Sequence, residues 1–188
     1  MRSRSADRPD FVKTILFREK DAMTTRYLVP VLVVIFWAGC GGSSDTQKAA
    51  VVGWAIGHGG IVHVEGQTLE VKKLTDLPSG SFEIERIDLT EKDVTDADLE
   101  NLSAVPELKA LTLHGTKITD EGINHLLALT SLKELDLTNT NITDAGLKLL
   151  AGIESLEKLH LHNTAVTNEG LKEFRSALPG CSLFPPKR

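Results

Sequence analysis

The sequence predicts an α/β solenoid, a short arc with a parallel sheet on its concave face and helices on its convex face. Three observations predict it. A 24-residue unit runs four times without a gap, starting at Ile84, Leu108, Leu132 and Leu156. Each unit opens with apolar residues spaced x-x-L-x-L, the alternation of a strand with one buried face. A Thr-[Asp/Asn] step then precedes a second apolar pattern, which suits a helix with a threonine cap and an acidic first turn. A unit of this length cannot bury its apolar face alone, so it must stack on its neighbours.

The chain has 188 residues, 41% hydrophobic and 25% charged, a composition that fits one globular domain. Residues 1–40 carry seven basic and four acidic groups; the remainder carries 14 basic and 22 acidic, a net charge of −8. An acidic domain argues against nucleic acid, because neutralising phosphates needs a basic patch.

Residues 1–22 precede Met23 and read either as a mis-assigned start, with Met23 the true one, or as a disordered segment. Met23-Thr24-Thr25-Arg26 leads into the apolar run Tyr27–Ala38. A run of about a dozen residues is short for a membrane span, which needs ~20, and suits the core of a signal peptide over 23–39. Ala38-Gly39-Cys40 resembles the lipobox of bacterial lipoproteins, with Trp37 where leucine is usual. The resemblance implies lipidation of Cys40 and a bacterial cell-envelope location, lipid-anchored to a membrane and facing the periplasm or exterior. Residues 40–48 then read as the lipidated cysteine and a flexible tether. Cys181 would be left without a disulfide partner, as a small buried apolar group.

Residues 49–83 do not fit the repeat and are expected to cap it. Ala49–Gly57 reads as a short helix, Ile61–Val64 as a half-buried strand, and Thr68–Leu74 as a second strand. Gly57-His58-Gly59-Gly60 lacks phosphate-loop spacing and precedes a strand instead of joining strand to helix. Residues 84–179 hold the four repeats, and 180–188 a C-terminal cap and tail.

Inside the repeats, Leu135 and Leu137 are expected to point inward while Glu134, Asp136 and Thr138 face solvent. Thr143 fits a helix N-cap, with Asp144 favouring the helix dipole. Gly122, Gly146 and Gly170 are expected to permit close packing between turns, and Thr116, Thr140 and Thr164 to bond turn backbone.

The pattern L-x-x-L-x-L-x-x-T-x-[IV]-T-[DN]-x-G-[LI]-x-x-L resembles the leucine-rich repeat, over roughly residues 84–183. That resemblance implies a horseshoe fragment that recognises protein without catalysis. Its concave columns would be Arg86, Ala110, Glu134 and Lys158; Asp88, Thr112, Asp136 and His160; and Thr90, His114, Thr138 and His162. The binding candidates are Arg86, Asp88, Thr112, His114, Glu134, Asp136, Lys158, His160 and His162. This face is expected to carry no aromatic residue, which leaves no stacking platform. His160, His162 and Asp136 lack a third firm ligand for zinc and read as a solvated polar face. The acids Glu91, Asp93, Asp96, Asp98 and Glu100 lack EF-hand spacing and read as a turn and an acidic helix start. His58, His63 and His125 read as structural or surface groups. No nucleophile–base pair is readable, so no catalysis, metal or cofactor is expected. The expected partner is an unidentified protein or peptide. The alternative is a structural envelope lipoprotein that self-associates.

Overall fold

The structure, a computed structural model, describes residues 43–67, 70–78 and 80–184. Residues 1–42, with the expected signal peptide and Cys40, lie outside the described residues, as does the tail at 185–188. The described elements are α1 (Ser43–Gly57), β1 (Ile61–Val64), β2 (Ile84–Asp88), β3 (Ala110–Thr112), α2 (Asp120–Leu126), β4 (Glu134–Asp136), α3 (Asp144–Leu150), β5 (Lys158–His160), α4 (Asn168–Ala177) and β6 (Ser182–Phe184). Two 3-10 helices cover Leu74–Asp76 and Asp96–Ala104. The six strands form one open sheet in chain order. β2 to β6 are parallel, and β1 lies antiparallel on β2. This is an α/β fold of the leucine-rich-repeat kind.

The repeat period fixes the register. Ile87, Leu111, Leu135, Leu159 and Leu183 align across five strands. The first four are buried, as are Leu89, Leu113, Leu137 and Leu161 one step on. From the helical side Leu126, Leu150 and Phe174 close the same core. Burying each of these side chains is worth about 1.5–3 kcal/mol, but only with both neighbouring turns in place.

One polar link recurs between turns. Asp96, Asp120 and Asp144 each accept two hydrogen bonds from the threonine that begins the next turn. The backbone N–H groups of Thr119, Thr143 and Thr167 donate at 2.8, 2.9 and 2.8 Å. Their hydroxyls donate at 2.6, 2.5 and 2.6 Å. With its proton committed to the aspartate, each hydroxyl still accepts from its own helix: Glu121 N for α2, Ala145 N for α3 and Gly170 N for α4. The N-cap role of Thr143 therefore holds. Asp144 does more than sit at a helix dipole, because its carboxylate fastens the next turn. The glycines make room for this link. A Cβ on Gly122, Gly146 or Gly170 would collide with the Oδ1 of Asp96, Asp120 or Asp144 respectively. The turn threonines Thr116, Thr140 and Thr164 donate locally, to the carbonyls of Leu113, Leu137 and Leu161 at 2.7, 2.6 and 2.9 Å.

Both ends of the array follow the same logic. The first repeat has no preceding aspartate, and its own Asp98 stands where the others have glycine. Asp98 accepts from Thr95 N at 2.8 Å and Thr95 Oγ1 at 2.7 Å. This segment, expected as an ordinary repeat helix, is instead the 3-10 helix Asp96–Ala104. Asn101 and Ser103 donate from their side chains to carbonyls three residues back, a local bond that competes with α-helical pairing. At the other end Asn168 stands where the other turns have aspartate, and α4 leads into β6.

The cap differs from expectation in two places. α1 begins at Ser43, so residues 43–48 are helical instead of a tether. Lys48 explains the extra length: it is buried and its Nζ lies 2.6 Å from Glu83 Oε2. Burial pulls the Lys48 ammonium down, but the hydrogen bond and charge of Glu83, with Glu107 and Asp45, outweigh it and raise its pKa above 10.5. Among the described residues of the second expected strand, Val71 alone makes a bridge, antiparallel to Val62, and Leu74 enters a 3-10 helix. Cys181 is buried, which pushes its thiol from 9.0 up to about 11.

Two outcomes follow from these contacts. Helix propensity alone would make Gly146→Ala stabilising by ~1 kcal/mol. The clash with Asp120 reverses the sign, to a loss of about 1–3 kcal/mol in urea unfolding. In an Asp120→Ala background most of that loss should disappear, and a double-mutant cycle with no coupling would remove the proposed link. The second outcome concerns alkali. Cys181 and Lys48 both have raised folded pKa values, so the stability they contribute is complete below pH 9.0. The Cys181 share is lost as pH rises from 9.0 through about 11, and the Lys48 share above 10.5. Thermal melts should hold to pH 9.0 and fall beyond it, with Cys181→Ala removing the earlier part of the fall.

Candidate functional site

The face of the sheet turned away from the helices is a grid set by strand register. The first column is His63, Arg86, Ala110, Glu134, Lys158 and Ser182. The second is Ile61, Asp88, Thr112, Asp136, His160 and Phe184. The first two expected columns are therefore present, and the cap and β6 add a member at each end. His114 and His162 lie in the turns just beyond β3 and β5, and so extend the face past the strands.

A depression of about 430 Å³ opens over the first column, floored by the small side chain of Ala110. Charged pairs surround it. Arg86 Nη2 lies 3.1 Å from Glu134 Oε2, two strands away, bridging over Ala110. Glu134 Oε1 is 4.0 Å from His160 Nε2. Along the adjoining rim, Lys133 meets Glu157 at 2.8 Å, and Lys109 meets Glu65 at 2.9 Å and Glu85 at 3.7 Å. The hydrogen bond and charge of Lys133 hold the Glu157 carboxyl below 4.5. The hydrogen bond to Glu65 raises Lys109 above 10.5. Lys158 is exposed, and among the described residues no ion pair engages it. Sequence reasoning missed His63, Lys109, Lys133, Glu85 and Glu157. Four of these repeat every 24 residues one position before the first column, so the period itself was the available signal.

The second column is quieter. Asp88 Oδ1 accepts from Thr90 N at 2.8 Å and Thr90 Oγ1 at 2.6 Å, while Asp136 Oδ1 accepts from Thr138 N at 2.8 Å. Both aspartates thus hold the turn after their strand, and Asp136 is not drawn towards His160. Thr112 lies between them without a side-chain bond of this kind. The expectation of a face without aromatics needs correction at Phe184. That side chain is 39% exposed and stacks on His160, with ring centroids 4.3 Å apart and an interplanar angle of 6°. β6 carries it into the His160 row, beyond the last full repeat.

The third column forms a short polar ridge. Asn139 Nδ2 is 3.0 Å from His114 Nε2, and Asn163 donates to Asn139 Oδ1 at 2.8 Å. Asn139 and Asn163 have left-handed backbones, φ 58° and 53°, which asparagine tolerates better than most residues. The carbonyl of His162 accepts from Asn139 N at 2.8 Å. Of the acidic turn residues, Asp93 pairs with Lys117 at 2.8 Å, and Asp96 and Asp98 are spent on threonine caps. Among the described residues, no three His, Cys, Asp or Glu side chains converge as a metal site. The grid offers multivalent polar contact over a small area. Burial makes the Cys181 thiol less ionised, not more.

A parallel sheet with one strand and one helix per turn, bearing its polar grid opposite the helices, defines a repeat module of the leucine-rich class. The family described as "Leucine Rich repeat" matches residues 128–151, which run from the end of the second repeat through most of the third. That match supports a leucine-rich-repeat protein, a class whose domains typically bind other proteins and are generally non-catalytic. Among solved structures the chain is similar to one titled "Structure of Chaetomium Mex67:Mtr2 subunits", with 19% identity and a TM-score of 0.38. The likeness covers 50% of this chain and 66% of that one, so the chain spans just under two thirds of its length. No curated protein matches.

The rim pairs make a direct expectation. Replacing Lys133 by Met removes the donor that depresses Glu157. The Glu157 carboxyl should then titrate upward towards 4.5, which carbon-detected NMR of that side chain reads. An unchanged titration would place the Lys133–Glu157 pair outside solution behaviour.

Proposed function

We propose that the protein is a non-catalytic binding module that captures a protein or peptide on its open sheet face while tethered to a membrane through Cys40. The observation that carries the binding half is the depression over Ala110. It is rimmed by Arg86, Glu134 and Lys158, and it sits within a register that presents the same side chains at regular intervals. Its size indicates the kind of partner. Six strands at ~4.8 Å give a width of about 24 Å, and the four steps from the first column out to His114 and His162 give about 13 Å. That is roughly 300 Å² on this side, below the ~800 Å² per partner of a standard stable interface. An extended peptide or single loop suits such an area better than a broad globular surface. The tethering half rests on the sequence, where Ala38-Gly39-Cys40 follows a signal-peptide-like run and implies a bacterial cell-envelope location. No helix among the described residues is long and apolar enough to cross a membrane.

The test is an in-cell photo-crosslink from position 158, with exposed Lys148 of α3 on the helical side as control. A discrete adduct from position 158 alone is expected, and it should weaken by about tenfold in Arg86→Glu, the loss of one good interface contact. Self-adducts alone would replace this reading with the structural, self-associating one. Equal yields from both positions would remove the sheet face as the site.

A further inference from the structure

The outward face of α1 is unlike that of the other helices. Lys48, Val51, Val52 and Ala55 are buried and form its inward side. The opposite side is Thr46, Gln47, Ala50, Gly53, Trp54 and Gly57, at helical spacing. It carries no charge, and the one cation between Asp45 and His58, Lys48, is turned inward onto Glu83. α2, α3 and α4 by contrast expose Glu121, Lys148, and Glu169 with Lys172. A cap at the end of a solenoid needs a polar outer face to stay soluble, and this one offers only Thr46 and Gln47.

Two large apolar groups complete the patch. Leu74 is 43% exposed, and its Cδ atoms lie 3.8 Å from where a Cβ on Gly53 would stand, so it borders the same face. Trp54 is half-buried, and its indole N–H has no acceptor among the described residues. Tryptophan is enriched at membrane–water interfaces, where its amphipathic ring meets both phases.

The position of Cys40 identifies the occupant. Only Gly41 and Gly42 separate it from Ser43, the first residue of α1. Three Cα steps reach at most about 10–11 Å, so an anchored Cys40 holds the start of α1 at the lipid surface. The helix is about 22 Å long, and Trp54 lies ~16 Å along it. Standing upright, α1 would lift its uncharged face into water; lying flat, it places that face in the headgroup region. We propose that α1 lies along the lipid surface, with Ala50, Gly53, Trp54 and Leu74 against the boundary between headgroups and acyl chains. This proposal rests on the reading of Cys40 as the anchor.

Trp37 and Trp54 are the two tryptophans of the chain, and removal of residues before Cys40 would leave Trp54 alone as a fluorescent reporter. The protein is expressed full length in bacteria, purified and reconstituted into vesicles of phosphatidylethanolamine and phosphatidylglycerol. Mass spectrometry of the N-terminal peptide reports lipid on Cys40, and quenching by acyl-brominated lipid reports Trp54. The expected result is lipid on Cys40 and at least about half of Trp54 emission quenched, a contact quencher acting only within the boundary region. Leu74→Glu and Ala50→Glu, both at exposed positions, should each relieve the quenching while leaving the melting transition intact. Lipid on Cys40 without quenching overturns the flat helix and spares the anchor. Protection of Trp54 that grows with protein concentration instead of with brominated lipid assigns the face to a second copy and also overturns it. Cys40 without lipid overturns the anchor and this proposal together.

Discussion

Each turn of this solenoid is fastened to the next by one carboxylate that reaches across the boundary to a threonine. Apolar stacking supplies most of the burial, but leucine against leucine tolerates small slips. The Asp–Thr contact does not, because a charge-assisted pair of hydrogen bonds, worth about 1.5–3 kcal/mol each, needs its donors within a few tenths of an ångström. The threonine hydroxyl is shared between the previous turn and its own helix, so stacking and helix initiation are set at the same atom. The glycine three residues on is empty space reserved for the neighbour's oxygen. The strands then fall into register, and the polar grid on the sheet inherits that register.

The grid itself is held by local contacts. Asp88 and Asp136 look like ligand-binding groups when read by type, yet each has an oxygen committed to the turn after its strand. Arg86 and Glu134 pair over Ala110, leaving a hollow whose walls carry opposite charges. Lys158 contributes a charge without an ion-pair partner among the described residues. A partner would therefore meet mostly pre-paired groups, which fixes orientation and discriminates against poor matches more than it adds affinity.

Much of the fold could be read from residues because the period is strict. Leu111, Leu135 and Leu159 lie 24 residues apart and must occupy equivalent places, so the columns followed directly. What escaped lay between repeats or beyond them. Asp120 and Thr143 are 23 residues apart, and a single turn read alone offers Asp120 only its own helix dipole. Phe184 is outside the last unit and shows its place only when β6 pairs with β5. The start of α1 was hidden because Ser43-Ser44-Asp45-Thr46-Gln47 has linker composition, while the force that makes it helical, Lys48 on Glu83, spans 35 residues. In the first repeat, likewise, Asp98 standing where the others have glycine shows its role only through its bonds to Thr95.

The asymmetry of the carboxylate link has a consequence for how such an array can change length. Every interior turn offers an aspartate forward and a threonine backward, so any duplicated 24-residue unit from Asp120 onward would find both its connections already waiting. The last turn offers Asn168 instead, and the first satisfies Thr95 with Asp98 from within itself. Growth by duplication is thus open in the middle, and the molecule's reach can be lengthened there without rewriting either terminus.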